Sequence, residues 1–336
     1  MFEILRELCC LDATSGNEDA VKNYIIEKIA PYCEYRVDNL GNIIAFKKGE
    51  KTPEKRLVID AHMDEVGLII TSVTDGGFLK FKTVGGIDTA VLMSRKVMIN
   101  GEIPGVITAK PIHLLEKEEA KKLPKADSLC IDIGANSKDA AQEKISLGDR
   151  AVIASDYIEA GDKILSKALD DRIGCAVLIT LLKEDSEYDF YATFSVQEEV
   201  GLRGARTAVF AVNPDSAIVV EATTAADIAD VPSEKRVCVQ GEGAVISFMD
   251  NATVYDRKYY NAALNSGIKC QPKSAVAGGN NSGAIHLNRE GVRTVSVSVP
   301  CRYIHSASSV ADKGDIKSVL DMVRELKNGI LGGKYD

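Results

Sequence analysis

The chain has 336 residues, of which 45% are hydrophobic and 27% are charged, and its formal net charge is −8. This balance is close to the globular average and excludes a disordered, collagen-like or coiled-coil chain. The acidic charge argues against nucleic acid and anionic membranes as partners, because both repel an acidic surface. The length allows one large domain or two domains of ordinary size.

The cysteines and the N-terminus indicate the compartment. Eight cysteines are scattered without a C-x-x-C pair, and several lie in apolar runs, so they are predicted to be buried, reduced thiols. Residues 1–11 include three charged side chains and lack the apolar stretch of a signal peptide. No segment reaches the length of a membrane span. We therefore expect a cytoplasmic protein without a membrane partner.

The start of the chain predicts a helix and then a strand. Ser15-Gly16-Asn17-Glu18 has the form of a capping box, and apolar residues with helical spacing follow it to Ile29. Leu57-Val58-Ile59 is a short apolar run between charged residues, which is typical of a buried strand. His62 comes at the end of this predicted strand.

The pattern changes between residues 68 and 162. Short β-branched runs such as Val97-Met98-Ile99 alternate there with glycine-rich turn signals such as Gly85-Gly86. Turn residues at such short intervals predict a compact β-rich module. Residues 1–67 and 163–336 are then expected to form one domain that this module interrupts.

Helix and strand signals alternate again after the module. Ile173 to Leu182 has the pattern of a buried helix, and 316–326 has the pattern of another. Strands are predicted at Phe190–Val196, Ala217–Val220 and Val295–Val299. This alternation predicts an α/β fold with a mainly parallel central sheet covered by helices, into which the β-rich domain is inserted.

Acidic and imidazole side chains cluster at the ends of the predicted strands. His62, the pair Glu198-Glu199, Glu221 and His305 each come at or shortly after a strand end. Because the carboxyl ends of parallel strands meet at one edge, where such folds bind ligands, these side chains can converge. Two imidazoles with several carboxylates suit Zn²⁺ or Co²⁺, and a pair of divalent ions can be held.

Taken alone, each of these features has an ordinary structural explanation. Asp170-Asp171 precede a predicted helix and can form its cap. Glu198-Glu199 can be a solvated turn, and they both face a site only if the chain bends there. Asp64 can be a surface carboxylate, but in a continued strand it points the same way as His62 and can accept its second N–H. The presence of all these side chains on one edge favours a metal site. His113 and His286 are interpreted as ordinary core or surface residues outside it.

Four longer motifs resemble one known family. They are AHMDEVG at 61–67, ALDDRIG at 168–174, VQEEVGLRGA at 196–205 and RYIHS at 302–306. In this order they resemble the co-catalytic metallopeptidases of the glutamyl aminopeptidase and tetrahedral aminopeptidase family, some of which are labelled cellulase M or endoglucanase. The resemblance covers nearly the whole chain, including the insertion.

The resemblance implies an aminopeptidase that hydrolyses N-terminal residues from peptides with two divalent metal ions, Zn²⁺ or Co²⁺, and a bridging hydroxide. The metal ligands that it implies are His62, Asp170, Glu199, Glu221 and His305. Asp170 would bridge the ions, His62 and Glu221 would complete one site, and Glu199 and His305 would complete the other.

The resemblance implies further roles and an assembly. Glu198 would be the general base, and Asp64 would be the partner of His62. A cis peptide bond is implied between Asp170 and Asp171. The insertion at 68–162 would mediate dimerisation, and many members form hollow dodecamers that admit only peptides. We therefore expect a homo-oligomer, from a dimer to a dodecamer.

Two departures from the family pattern keep other functions open. Glu221 stands where many relatives have Asp, which leaves a related di-metal N-deacylase as an alternative. Gly278-Gly279-Asn280-Asn281-Ser282-Gly283 stands where relatives often read GGGTDAG, so an acid near the substrate pocket is missing. A glycosidase acting through paired carboxylates is a further alternative. It would leave His62 and His305 without a role, and the absence of Trp argues against it.

Overall fold

The computed structural model describes residues 1–119 and 121–335. The helices are α1 (Phe2–Cys9), α2 (Asp19–Ile29), α3 (Lys138–Gln142), α4 (Leu169–Lys183), α5 (Arg203–Val212), α6 (Arg257–Leu264), α7 (Ser282–Ile285) and α8 (Lys313–Leu331). Short 3-10 helices cover Thr89–Val91, Ile112–Leu114, Ala126–Ser128 and Ser233–Lys235. Within the described ranges, no helix combines the length and the apolar character that crossing a membrane requires.

The strands form one large sheet and one closed barrel. They are β1 (Glu34–Val37), β2 (Ile43–Lys47), β3 (Leu57–His62), β4 (Gly67–Val73), β5 (Leu79–Val84), β6 (Lys96–Ile99), β7 (Ile103–Ile107), β8 (Ile131–Asp132), β9 (Arg150–Ile153), β10 (Ile158–Ala160), β11 (Lys163–Ser166), β12 (Phe190–Ser195), β13 (Ser216–Thr224), β14 (Ala244–Ile246), β15 (Cys270–Pro272), β16 (Arg293–Arg302) and β17 (Ser309–Asp312). The chain therefore has the expected helix-covered sheet and a separate β-rich part.

The large sheet has the strand order β1-β2-β12-β3-β13-β16-β17-β11-β10, with β14 beside β16 and β15 beside β14. Its central strands β12, β3, β13 and β16 are parallel, whereas the strands at both flanks are antiparallel. The sheet is mixed, so the prediction of a mainly parallel sheet is correct only for its centre. Antiparallel neighbours can be joined by a short turn, as β1 and β2 are. No crossover helix lies between them, so the sequence lacks the helix signal from which strand pairing was predicted.

Successive residues of the central strands pack on opposite faces of the sheet. Ile218 and Val220 of β13 belong to the hydrophobic cluster that contains α1, α2, α4 and α8. Ala217 and Val219 belong to the cluster that contains α5 and α7. Because side chains alternate along a strand, helices can cover both faces. The carboxyl ends of these strands then remain for polar side chains.

The barrel has the strand order β4-β5-β8-β7-β6-β9 and its own hydrophobic interior. Its strands begin at Gly67 and end at Ile153. The next strand, β10, pairs with β11 in the large sheet. The segment 68–162 thus holds the barrel except for its first residue, and it also holds one edge strand of the large sheet.

Candidate metal centre

The carboxyl edge of the central strands carries the candidate site. His62 is the last residue of β3, Glu198-Glu199 follow β12, and His305 follows β16. Glu221 differs from the expectation, because β13 continues to Thr224 and pairs with β16 beyond it. Glu221 therefore lies within a strand rather than after one. The five candidate side chains converge around Asp170, and they are His62, Glu198, Glu199, Glu221 and His305.

Asp170 lies between the two imidazoles. Its Oδ1 is 3.3 Å from His62 Nε2, and its Oδ2 is 3.5 Å from His305 Nε2. The backbone of Asp170 and Asp171 is not helical, although both lie within the bounds of α4. The peptide bond between them is cis, as the resemblance implies. The two oxygens of one carboxylate thus face different histidines, which is the arrangement that a bridging carboxylate requires.

Each imidazole also faces a glutamate. Glu221 Oε2 is 3.6 Å from His62 Nε2, and Glu199 Oε1 is 3.2 Å from His305 Nε2. Asp171 also has a carboxylate oxygen near His62 and Glu221, although the sequence indicated only a helix cap or first turn for it. Its carboxylate accepts the backbone N–H of His62 at 3.3 Å and that of Gly174 at 2.9 Å. Asp171 therefore holds the strand end and starts the regular part of α4.

Both imidazoles are oriented through Nδ1. His62 Nδ1 lies 3.0 Å from the carbonyl oxygen of Asp64 and 3.4 Å from its carboxylate. His305 Nδ1 lies 2.9 Å from the carbonyl oxygen of Gly86, in the loop after β5. A carbonyl oxygen only accepts hydrogen bonds, so Nδ1 carries a proton in each ring. Nε2 then faces the carboxylates, where neutral imidazole can ligate a metal ion.

Asp64 organises the loop that carries the two glutamates. Its buried carboxylate accepts the backbone N–H of Glu198 at 2.9 Å and that of Glu199 at 3.1 Å, and the Ser15 hydroxyl donates to it at 2.6 Å. Gln197 has a φ of 55° and bends the chain directly before the pair. This is the bend that both glutamates need in order to face one site.

The segment Ser15–Glu18 does not form the predicted capping box. Helix α2 begins at Asp19 without a side-chain cap. The Glu18 carboxylate instead accepts the N–H of Gly16 at 2.7 Å and that of Gln197 at 3.1 Å. The capping-box pattern predicts that Glu18 caps its own helix, but its carboxylate binds the loop at Gln197 instead. The segment supports the bend of the glutamate loop.

Burial and crowding shift the pKa of every titratable group in the cluster. Burial raises the pKa of Glu198 to about 8, and it raises that of Glu221 well above its ordinary value. Burial lowers the pKa of His62 and His305, but the facing carboxylates outweigh it, and the pKa of His305 rises to about 11. Burial also raises the pKa of Asp170, but hydrogen bonds with both histidines bring it below the ordinary value.

The donor set fits divalent cations. Imidazole nitrogens and carboxylate oxygens are the mixed ligands that suit Zn²⁺ and Co²⁺. Glu221 Oε1 is buried and accepts no hydrogen bond from the described residues. An unpaired buried oxygen of a carboxylate is costly unless a cation or a polar group binds it. Burial is the main cause of the raised pKa values of Glu198 and Glu221, because desolvation penalises the charged carboxylate, and the neighbouring acidic groups add to it.

A cavity of about 280 Å³ opens onto this cluster. Its lining includes Glu198, Glu221, the segment 278–280 and Lys273, and no motif in the sequence indicates Lys273 as a site residue. A larger cavity of about 810 Å³ lies in the segment from Met93 to Leu129 and shares no lining residue with the cluster. Of these two cavities, only the smaller one reaches the candidate ligands and can bring a substrate to them.

A helix-covered sheet with two imidazoles and several carboxylates on its carboxyl edge defines a metal-dependent hydrolase. The sequence model of the M42 glutamyl aminopeptidase family matches residues 41–322. The chain therefore belongs to this family, as its four motifs predict, and it is a metal-dependent aminopeptidase.

Relatives and solved structures match the chain over almost its full length. A protein of Acetivibrio thermocellus is 36% identical over 97% of this chain and 98% of its own. The TET aminopeptidase of a marine sediment Thaumarchaeota archaeon has a TM-score of 0.92 at 33% identity, with coverage of 97% and 95%. The TET1 peptidase of Pyrococcus horikoshii, which can assemble into a tetrahedron or a large octahedral shell, has a TM-score of 0.85 at 32% identity, with coverage of 97% and 98%.

Proposed function

We propose that this aminopeptidase holds two divalent ions that share Asp170. His62 and Glu221 complete one site, and Glu199 and His305 complete the other. The observation that carries the proposal is the division of the Asp170 carboxylate, with Oδ1 3.3 Å from His62 Nε2 and Oδ2 3.5 Å from His305 Nε2. When bound, Zn²⁺ or Co²⁺ ions supply Lewis acidity that activates water and polarises the scissile carbonyl.

Glu198 is the proposed general base. Its carboxyl group lines the cavity beside the ligands, while its backbone N–H is fixed by Asp64. Burial raises its pKa to about 8, and a general base whose pKa lies near the working pH can both take a proton from the attacking water and return it to the leaving amine. Asp64 positions this residue and also orients His62.

The function is tested with one tripeptide in two forms. Leu-Gly-Gly with a free N-terminus is expected to lose leucine, and N-acetyl-Leu-Gly-Gly is expected to stay intact. Removing metal with a chelator should abolish the release, and adding Zn²⁺ or Co²⁺ should restore it. Preferred cleavage of an acylated amine would instead support the N-deacylase, and chelator-insensitive release of sugar from cellulose would support the glycosidase.

Assembly through the insertion is part of the proposal. We assign 68–162 to an inserted dimerisation domain and 1–67 with 163–336 to the catalytic domain. The insertion exposes large apolar side chains, with Leu114 and Leu123 each 57% exposed. The similar TET1 peptidase assembles into closed shells. A homo-oligomer, from a dimer to a dodecamer, would bury such residues and restrict substrates to peptides.

A cytoplasmic location is proposed on the state of the thiols. The eight cysteines are free, and Cys9, Cys175, Cys238 and Cys301 are buried. Burial raises the pKa of the Cys9 thiol to about 12, which keeps it protonated and unreactive. Protonated, buried thiols of this kind suit a reducing compartment.

A further inference from the structure

A buried cluster of charged side chains lies behind the candidate ligands. It consists of Glu65, Lys167 and Arg172, each at most 5% exposed, and of the partly buried Asp12. Lys167 Nζ is 2.6 Å from Glu65 Oε1 and 3.1 Å from Asp12 Oδ1, and Arg172 Nη2 is 3.2 Å from Glu65 Oε1. We call these four residues the Glu65 cluster. Neither the metal centre nor the proton transfer described above uses it.

The charges of the Glu65 cluster compensate one another. Two cations face two carboxylates, and Lys167 Nζ also donates to the Leu11 carbonyl oxygen at 3.0 Å. The three oxygens around Lys167 Nζ match the three N–H donors of an ammonium group. Arg172 Nη1 donates to the carbonyl oxygen of Leu8 at 2.6 Å and to that of Leu11 at 3.3 Å. The cluster is therefore suited to hold parts of the protein together rather than to bind a charged substrate.

The cluster joins two segments that carry candidate ligands. Lys167 precedes Asp170 by three residues, and Arg172 follows it by two. Glu65 follows His62 by three residues, just beyond the end of β3. One oxygen, Glu65 Oε1, accepts hydrogen bonds from both cations. The segment of the candidate bridging carboxylate is therefore bound to the segment of an imidazole.

Glu65 itself is held by the loop between α1 and α2. Its backbone N–H donates to the Ala13 carbonyl oxygen at 2.9 Å, and its Oε1 accepts the backbone N–H of Ala13 at 3.1 Å. Hydrogen bonds between charged groups are stronger than neutral ones. Glu65 thus gives Lys167 and Arg172 a fixed point of attachment.

The segment around Asp170 needs such support, because it departs from regular structure. Ala168 has a φ of 53°, which residues other than glycine rarely adopt. Asp170 and Asp171 have non-helical backbone angles. Conformations of this kind persist where the surrounding contacts enforce them. Lys167 and Arg172 supply charged contacts on both sides of these residues.

Packing alone does not fix the ligands on the side of the cluster. A cavity of about 20 Å³ is lined by Glu65 and Lys167 together with Asp170, Glu199 and His305. The last three residues also line the 280 Å³ cavity, so they lie between the two cavities. The small cavity has room for about one water molecule, and side chains that face such a space lose van der Waals contacts there. Polar contacts are then needed to hold the ligands.

We propose that Glu65 is a positioning residue of the metal centre, which fixes Asp170 relative to His62 by binding Lys167 and Arg172. The inference rests on the proposed function, in which Asp170 bridges the two ions. Glu65 acts through Asp170 and contacts neither the substrate nor the ions. Groups that orient a ligand from behind typically contribute about 10- to 100-fold in metal affinity.

The alternative is that the Glu65 cluster only stabilises the fold. It joins the loop between α1 and α2 to α4, so its loss would lower the free energy of unfolding in either case. A cluster with this role alone would leave metal binding by the folded protein unchanged. A cluster that positions Asp170 would change the affinity and the coordination geometry of the bound ions. Metal binding measured on folded protein therefore separates the two cases.

The test is a titration with Co²⁺, whose visible absorption spectrum reports the geometry of its ligands. Glu65→Gln keeps the shape of the side chain and removes its charge. Lys167→Met removes one of the two cations, and Lys167→Arg keeps it. The double variant Glu65→Gln with Lys167→Met removes one charge of each sign, so it keeps the cluster neutral if Glu65→Gln alone does not fold. Circular dichroism of the metal-free proteins shows which variants are folded.

Asp256→Asn is the matched control. Asp256 caps α6, and its Oδ2 is 2.8 Å from Nε of Arg293, with which it forms a partly buried ion pair. Neither residue is among the described residues that line the two cavities. Asparagine keeps the cap but loses the charge. We expect this variant to lose stability and to keep the wild-type Co²⁺ affinity and spectrum.

Glu65→Gln is expected to bind Co²⁺ about 10- to 100-fold more weakly than the wild type, with a changed spectrum. The double variant should show the same change, since it also lacks the Glu65 charge. Lys167→Met should lose less affinity, because Arg172 still binds Glu65, and Lys167→Arg should recover most of that loss. Wild-type affinity and spectrum in folded Glu65→Gln, or in the folded double variant, would overturn the proposal.

The same titration separates this inference from the proposed function. A wild type that holds two Co²⁺ ions without cleaving a free-amine peptide would refute the proposed role of those ions, while weaker binding by Glu65→Gln would still support the positioning role. A wild type that binds no Co²⁺ would refute both the metal centre and the role of Glu65.

Discussion

The carbonyl oxygen of Gly86 accepts a hydrogen bond from His305 Nδ1 at 2.9 Å. Gly86 follows β5 of the barrel, whereas His305 follows β16 of the large sheet. A backbone atom of the insertion therefore orients an imidazole of the candidate metal centre. This contact could not be predicted from the sequence, because a carbonyl group is present in every residue and leaves no signal in a sequence.

Replacing Gly85 with Ala is expected to weaken metal binding at the His305 side of the site. Gly85 has a φ of 82°, and a Cβ there would lie 2.7 Å from Val66 Cγ1 and 3.3 Å from the Cβ of Glu199. The turn must shift, and the Gly86 carbonyl moves with it. Groups that orient a ligand typically contribute about 10- to 100-fold in metal affinity. Titration with Zn²⁺ against a competing chelator measures this loss.

Gly76→Ala is the matched control for that variant. It lies in the turn between β4 and β5, and its added Cβ would meet only the ring of Phe78, at an ordinary distance of 3.5 Å. We expect wild-type metal affinity from it. If Gly85→Ala also bound both ions with unchanged affinity, the turn would have no influence on His305.

Replacing His305 with Ala should remove one ion and leave the other. Its Nε2 faces Asp170 and Glu199, whereas His62 faces Asp170 and Glu221. Elemental analysis of the loaded wild type is expected to give two ions per chain, and that of His305→Ala is expected to give fewer. His286→Ala is the control, because that imidazole contacts the Ser282 carbonyl outside the cluster. Unchanged stoichiometry and affinity in His305→Ala would remove it from the ligand set.

Glu198→Gln is expected to slow turnover without loss of metal. The amide keeps the shape of the side chain but cannot take the proton from water, and a general base typically contributes about 10²- to 10⁴-fold in rate. The fall should appear in kcat, with metal content measured on the same sample. Glu290→Gln, which changes an exposed glutamate, should behave as the wild type. Near-normal kcat in metal-replete Glu198→Gln would assign the base elsewhere.

The convergence of polar side chains on one edge could be predicted from the sequence, whereas the pairing at the flanks of the sheet could not. Strand ends and motifs brought His62, Asp170 and His305 to one edge, because regular strands set where such residues lie. The antiparallel flanks and the Ser15–Glu18 contacts were not predicted. The Ser15–Glu18 contacts and the pairing of β2 with β12 depend on hydrogen bonds between distant segments, which no local pattern encodes. Lys273 was missed for a similar reason, since burial beside the cavity arises only from the packing of distant segments.

The segment Gly278–Gly283 lacks the acid of the family pattern. In the structure, a carboxylate from β3 lies beside this segment. Asn281 is fully buried, and its Nδ2 donates to Asp60 Oδ2 and to Ser195 Oγ, each at 2.8 Å. The Thr193 hydroxyl donates to the other oxygen of Asp60 at 2.6 Å. Asp60 of β3 therefore supplies the acid of this buried network, and Asn281 is its donor.

Asn281→Asp is accordingly expected to destabilise the fold. It removes both donated hydrogen bonds and places a second carboxylate beside Asp60, so the free energy of unfolding should fall by about 1–3 kcal/mol. Urea denaturation at neutral pH measures the change. The double variant Asp60→Asn with Asn281→Asp exchanges donor and acceptor and should recover part of the loss. A stable single variant, or a double variant no better than the single one, would contradict this pairing.

Assembly is expected to depend on apolar residues of the insertion. Light scattering of the wild type at micromolar concentration should give a discrete particle larger than a monomer, since self-complementary contacts close into symmetric assemblies. Leu123→Asp should reduce the particle size, because a charge at a buried interface is costly. Leu287→Asp is the control, since Leu287 is 72% exposed but lies outside the insertion. A monodisperse wild-type monomer would refute the oligomer. If the oligomer removed residues from a stably folded protein as fast as from a short peptide, the assembly would not enclose the active sites.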